Sequence, residues 1–194
     1  MRTVLKAAFI LACCMMLAAF ASATPITYTE TAIASGSLGG VSFTDATVTL
    51  TMNGDTSDVA DEGGGFFQNI GTLLLDVSGV GTATFTSGSY GVFDNETFSP
   101  PAAGGFQFSP NASILDTFDN AFATYDLTTA IGPITGSSFI NPGLGFATSA
   151  GTFILDSAGD STFTAVTSVP EPGSMVLLGS GLAGLAGMIR RFRK

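Results

Sequence analysis

The sequence predicts an all-β protein, an antiparallel β-sandwich or jelly-roll-like single domain set between two terminal segments of different character. Three observations carry this. The central residues are rich in Thr, Ser, Gly, Val, Ile and Phe, with few Glu and no Lys or Arg of the kind that fill helices. Short runs alternate apolar and polar side chains at period two, as half-buried strands do. Gly, Asn and Asp punctuate those runs where turns are needed.

Residues 1–6 carry Arg2 and Lys6, residues 7–20 are apolar, and Ala21-Ser22-Ala23 places small side chains where a signal peptidase reads them. This is a secretory leader with its cut after Ala23, since the apolar core is too short for an ordinary membrane span. A competing lipoprotein cut at Ile10-Leu11-Ala12-Cys13 is disfavoured by the bulk of Leu11 and by the apolar run continuing past the cysteine. Both cysteines, Cys13 and Cys14, fall inside the leader, so the mature body has no thiol and no disulfide.

Within the body, 24–168, residues 26–33 and 46–52 alternate, the second run ending at the turn signal Asn53-Gly54. Residues 71–77 read as a buried strand and 81–85 as an alternating one. Shorter strands are expected at 90–93 and 106–108, either helix or strand at 120–127, and closing strands at 152–156 and 161–166. Residues 167–169 lead out of the domain. Gly71 to Gly79 followed by Thr84-Phe85-Thr86 echoes Gly151 to Gly159 followed by Thr162-Phe163-Thr164, eighty residues on. Each copy reads as strand, Asp-and-Gly turn, strand. The echo is either a duplicated half-domain or a chance match in a Thr, Gly and Phe-rich chain.

Charge is the body's most restrictive property. The chain has six Lys and Arg, fifteen Asp and Glu and no His. Arg2 and Lys6 lie in the leader and Arg190, Arg191, Arg193 and Lys194 at the extreme end, leaving no cationic side chain between residues 24 and 169. Glu171 is the one acid outside 24–168, so the body keeps fourteen. Such a surface repels nucleic acid and anionic lipid, because phosphate binding needs Lys or Arg. Its natural partners are divalent cations, cationic surfaces and neutral sugars.

The same composition narrows the chemistry. Without His, Cys, Lys or Arg in the body there is no Ser-His-Asp or Cys-His arrangement, no Lys Schiff base and no zinc site of the usual kind. Paired carboxylates remain, for a glycosidase or for a dyad of Asp76 and Asp156, although neither has the Asp-Thr/Ser-Gly turn of aspartic proteases. The expectation is no enzyme and no obligatory cofactor. Asp55, Asp58, Asp61 and Glu62, near Gly63-Gly64-Gly65, are the candidate calcium ligands, although their order is not that of an EF-hand; a plain acidic loop is the alternative. Asp116 and Asp119-Asn120 make a weaker version. Phe66-Phe67, directly after three glycines, is the aromatic pair most open to exposure, with a loop anchor tucked onto the sheet as the other reading. Asn95-Glu96-Thr97 and Asn111-Ala112-Ser113 fit the N-glycosylation triplet, which means little by itself.

The tail, 169–194, has three parts: Pro170-Glu171-Pro172, an uncharged run at 173–189, and the basic end 190–194. As a helix the run reaches ~25 Å at about 1.5 Å per residue, the short edge of a membrane span. Four cations at one end hold Arg190, Arg191, Arg193 and Lys194 in the cytoplasm and place the body outside. Gly179, Ala183 and Gly187 recur every four residues, which fits either a close helix–helix face or merely a weakly hydrophobic span.

Val169-Pro170-Glu171-Pro172, then Leu177-Leu178-Gly179, Gly181-Leu182 and Gly184-Leu185, then Arg190-Arg191-Phe192-Arg193-Lys194, resemble the PEP-CTERM sorting signal of Gram-negative bacteria. The resemblance covers 169–194 alone. It implies recognition by an exosortase, a membrane-embedded cysteine transpeptidase-like enzyme that cuts near Pro170, Glu171 and Pro172. It also implies transient anchoring at the inner membrane, then release to the cell surface or beyond, in a setting of exopolysaccharide, biofilm or floc formation. The expected role is therefore a non-enzymatic surface or matrix protein. A calcium-assisted, lectin-like module is the alternative, and a carboxylate-dependent hydrolase comes third. Because 24–168 lacks Lys and Arg, trypsin should leave that stretch in one piece even after denaturation, which mass spectrometry of the digest checks.

Overall fold

The computed structural model describes residues 24–98, 101–108 and 112–168. The leader with Ala21 and Ala23, the Pro170-Glu171-Pro172 motif, the 173–189 run and the basic end lie outside them. Among the described residues no helix is long and apolar enough to cross a membrane.

The described residues form twelve β-strands and two short 3-10 turns. In order the strands are β1 (Pro25–Leu38), β2 (Val41–Asp55), β3 (Ala60–Gly63), β4 (Phe66–Ile70), β5 (Leu73–Val77) and β6 (Gly81–Thr84), followed by β7 (Tyr90–Asn95), β8 (Ala103–Phe108), β9 (Ala112–Phe118), β10 (Ile131–Phe139), β11 (Gly145–Thr148) and β12 (Gly151–Thr167). The turns are Thr56–Asp58 and Asn120–Thr124. All pairings are antiparallel, in the order β3-β4-β7-β8-β9-β10-β12-β1-β2-β5-β6, with β11 also on β12.

This sheet curls onto itself. Asn69 of β4 and Tyr28 of β1 stand six strand spacings apart, which would be about 29 Å in a flat sheet. Yet Asn69 Nδ2 donates to the Tyr28 hydroxyl at 3.3 Å. The corner is made by β10, whose residues 131–136 pair with β12 and whose residues 137–139 pair with β9. Gly136 sits at the change of partner, where a Cβ would come within 2.1 Å of the Phe118 carbonyl oxygen. No other residue fits there.

β1 explains why curling pays off energetically. Its inward phase runs Ile26, Tyr28, Glu30, Ala32, Ala34, all buried, and its outward phase starts Thr27, Thr29, Thr31. Across the sheet Thr29 faces Thr51 and Thr164, and Thr31 faces Thr49 and Thr162, so the solvent side of the spine β2-β1-β12 is a threonine surface. The inward phases of both halves meet in one core. Phe163 of β12 is its hub, packed against Phe106 (6.5 Å between centroids), Phe122 (5.4 Å) and Tyr125 (6.3 Å).

Several expectations need correction. Asn53-Gly54 is not a turn, since both lie inside β2, paired with Thr27 and Ile26. The β1–β2 turn falls at Gly39-Gly40, both in the left-handed region at φ 59° and 84°. The eighty-residue echo is not one hairpin written twice. The first copy is the β5–β6 hairpin, whereas residues 151–167 continue as the single strand β12, paired with β1 through two register shifts. Residues 120–127 are not a strand, and their helical part is one 3-10 turn, started by Asp119 accepting from the Ala121 amide. The strands β3, β4, β9, β10 and β11 were not expected.

Truncating the hub tests this packing. Phe163→Ala should lower unfolding free energy by about 3–5 kcal/mol in urea denaturation, whereas Val166→Ala, three residues on and solvent-facing, should stay within about 0.5 kcal/mol.

Candidate functional site

The outer side of β4, β7, β8 and β9 is where apolar and polar groups converge in a concave surface. β8 opens with Ala103-Gly104-Gly105, small residues that leave its middle low, while the neighbouring strands carry rings. Phe66 of β4 stacks on Phe93 of β7 at 5.9 Å and 18° on one side. On the other side Phe98 lies 5.4 Å from Phe118 of β9, which meets Phe139 of β10 edge-on at 6.4 Å. The resulting groove has a volume of about 280 Å³, and its lining also includes Asn95, Gln107, Ser113 and Asp116. Phe98 and Phe139 are about half exposed, an unusual position for two phenyl rings unless something covers them.

A β-bulge sets the polar floor. Phe106 pairs with Leu115, but Gln107 pairs with Ser113, which leaves Ile114 as the extra residue on β9. In a regular strand, positions 113 and 116 point to opposite faces. The bulge resets the phase, so Ile114 and Leu115 both join the core while Ser113 and Asp116 both line the groove. Gln107 is 7 % exposed and Asp116 is 6 % exposed, and among the described residues neither Gln107 Nε2 nor Asp116 Oδ1 has a hydrogen-bond partner. Leaving such groups unmatched costs about 1–3 kcal/mol each.

Beneath this floor lies a buried polar chain. Thr117 Oγ1 stands 2.7 Å from Glu30 Oε1 and 2.6 Å from Ser161 Oγ, which in turn is 3.3 Å from the Asp116 carbonyl oxygen. The Thr117 hydroxyl donates to Glu30 Oε1, and the Ser161 hydroxyl donates to the Asp116 carbonyl oxygen. Burial raises the Glu30 carboxyl well above its usual range, and the Asp116 charge adds to this against the opposing Thr117 and Ser161 hydroxyls and the Phe106 amide.

Two further carboxyls share this condition. Burial, with Ser113 opposing, pushes Asp116 up to about 7. Burial, then the charges of Glu96 and Asp126, pushes Asp94 up to about 8, and among the described residues neither Asp94 oxygen finds a partner. The Tyr28 hydroxyl donates to the carbonyl of Leu127, and burial raises that phenol to about 12.

The sequence-predicted site residues lie elsewhere and do not gather. Asp55 ends β2, with its Oδ1 accepting from the Ser57 amide and hydroxyl; Asp58 lies in the Thr56–Asp58 turn; Asp61 and Glu62 lie on edge strand β3, with Asp61 accepting from the Gly63 amide. Among the described residues no three Asp, Glu, His or Cys side chains stand where they would hold a metal ion. Asp76 and Asp156 are both exposed, on β5 and β12 with β1 and β2 between them, so the structure does not bring them together. Phe66 and Phe67 separate, the first to the groove and the second against the core. Asn95 Oδ1 accepts from the amide and hydroxyl of Thr97, closing its triplet into a turn. Asn111 lies outside the described residues. Sequence reasoning missed Phe93, Phe98, Phe118, Phe139, Gln107, Glu30 and Asp94, and named Asp116 only beside Asp119 as a weaker cation site. A signal existed for Glu30, a lone acid in the apolar phase of β1.

Residues 168–191 match the model of the PEP-CTERM protein-sorting motif. No curated protein and no solved structure matches the chain. The motif implies exosortase processing, with export and sorting to the cell envelope.

The buried acids dictate a direction of pH dependence. Each binds its proton more tightly folded than unfolded, so its stabilisation is complete below the ordinary carboxylate range near pH 4. That stabilisation is lost as pH rises through about 7 for Asp116 and about 8 for Asp94. Thermal melts should therefore show the highest midpoint in mild acid and a steady fall towards pH 9, at up to about 1.4 kcal/mol per pH unit for each group. Asp94→Asn, which keeps shape and removes the titration, should flatten the fall around pH 8.

Proposed function

We propose that this chain is an exported, non-enzymatic surface or matrix protein, delivered by a leader cut after Ala23 and by an exosortase acting near Pro170-Glu171-Pro172. The observation that carries the reading is the sorting-motif match at 168–191, which starts one residue after β12 ends. The fold supports it. Ile26 pairs with Thr167, and the Ser168 amide donates to the Pro25 carbonyl at 2.9 Å. Both processing positions therefore adjoin the same pole of the body, and the body can fold completely before either end is removed.

In this reading the 173–189 run holds the body at the outer face of the inner membrane, with the 190–194 cations in the cytoplasm. Pro170 and Pro172 keep the cleavage site out of any helix and accessible. The body then acts by occupying and linking extracellular polysaccharide. Its side-chain inventory favours binding or structure over catalysis, since 24–168 offers no His, Cys, Lys or Arg to act as base, nucleophile or electrophile.

Intact-mass spectrometry tests this in a host with and without its exosortase. With the enzyme, the extracellular form should begin at Thr24 and lack the tail. Without it, or with Pro170, Glu171 and Pro172 replaced by Ala, the tail should persist and the protein should stay in the membrane fraction. A full-length chain with both ends intact in the cytosol of the exosortase-bearing host would overturn the proposal.

A further inference from the structure

We propose that the phenylalanine-lined groove over β8 binds an uncharged glycan chain, with ring faces taking the sugar's C–H surface and buried polar groups taking its hydroxyls. This rests on the reading of the protein as extracellular, but it names a site and ligand class that the sorting motif does not.

Four observations carry it. Phe66 with Phe93, and Phe118 with Phe139, form two walls on opposite sides of a floor kept low by Ala103. Two walls separated by a trough suit a flat, elongated ligand better than a compact one. Between them Gln107 Nε2 and Asp116 Oδ1, on side chains more than nine-tenths buried, have no hydrogen-bond partner among the described residues. Native proteins leave few such groups, and each asks for an explanation. A purely apolar occupant would leave both unmatched, whereas a polyol matches an amide donor and a carboxyl at once. The Ile114 bulge is what places Ser113 and Asp116 together here, and bulges recur where a side chain must be re-aimed.

Charge excludes the competing occupants. A polyanion would meet a body with fourteen acids and no cation. A second copy of this chain would bring the same unbalanced negative surface against itself. A neutral saccharide suffers neither penalty, and it offers apolar ring faces to the phenyl walls and hydroxyls to the polar groups between them.

Native affinity electrophoresis of the full-length chain in mild detergent provides the test, with gels containing dextran, a β-glucan or a galactomannan, and with alginate as the anionic control. The expected result is retardation by at least one neutral polysaccharide and none by alginate. Phe139→Ala, which trims a half-exposed ring, should weaken retardation about tenfold, equivalent to about 1.4 kcal/mol. Its melting midpoint should be unchanged, and Asp116→Asn should weaken binding while preserving the fold. No retardation by any of the three neutral polymers would overturn the proposal, as would retardation indifferent to both variants. So would a concentration-dependent dimer dissolved by Phe139→Ala without any retardation, which would make the groove a self-interface. None of these outcomes bears on the exosortase result, because processing is read from mass.

Discussion

The absence of any cationic side chain between residues 24 and 169 is the constraint from which the rest of the structure follows. In most domains a buried carboxylate survives because Arg, Lys or His neutralises it. Here that is impossible, so burial instead raises the proton affinity of Glu30, Asp94 and Asp116. The Glu30 carboxyl accepts from the Thr117 hydroxyl, which also contacts the Ser161 hydroxyl. Cohesion must then come from backbone ladders and from aromatic packing. The spine of β2, β1 and β12 and the ring cluster around Phe163 provide both, in a body that also lacks disulfides.

Closure of the sheet and formation of the groove are two results of one geometric choice. β10 divides its pairing between β12 and β9, which turns the sheet through a corner and brings the inward faces together. The β7-β8-β9 segment then has a fully packed inner side, with Phe106 and Leu115 in the core, and an outer side that among the described residues is walled by Phe66, Phe98, Phe118 and Phe139 around an open groove. On that outer side Gln107 and Asp116 are deep enough to be desolvated and shallow enough to line an open groove. Stability alone would favour apolar residues at both positions, because an unmatched buried group is a net cost.

The sequence made the strand class legible because period two survives wherever one face is solvated. Residues 26–33 read correctly as the start of β1 since Thr27, Thr29 and Thr31 face water while Ile26, Tyr28 and Glu30 do not. The same logic failed for β9 and for the first half of β8, whose residues are nearly all buried on both sides and therefore show no alternation. Asn53-Gly54 misled because a local turn preference was overridden by a fourteen-residue partner strand already in register. The acidic stretch at Asp55, Asp58, Asp61 and Glu62 looked like a ligand set in sequence, but strand ends and an edge strand spread it out. The groove was invisible for a different reason. Phe66, Phe93, Phe118 and Phe139 come from four strands spread over more than seventy residues, and only the topology makes them neighbours.

The buried acids also tie the groove to the fold. Asp116 lies in the groove floor through its side chain and in the polar chain through its carbonyl, which Ser161 contacts at 3.3 Å. A charge on Asp116 raises the proton affinity of Glu30, so the two carboxyls do not ionise independently. Any occupant that hydrogen-bonds the neutral Asp116 carboxyl keeps the charge off that residue and so removes that contribution, leaving burial to hold the Glu30 proton. A ligand acting there is therefore coupled to the joint between β1, β9 and β12, and its binding lowers the proton affinity of Glu30 rather than raising it.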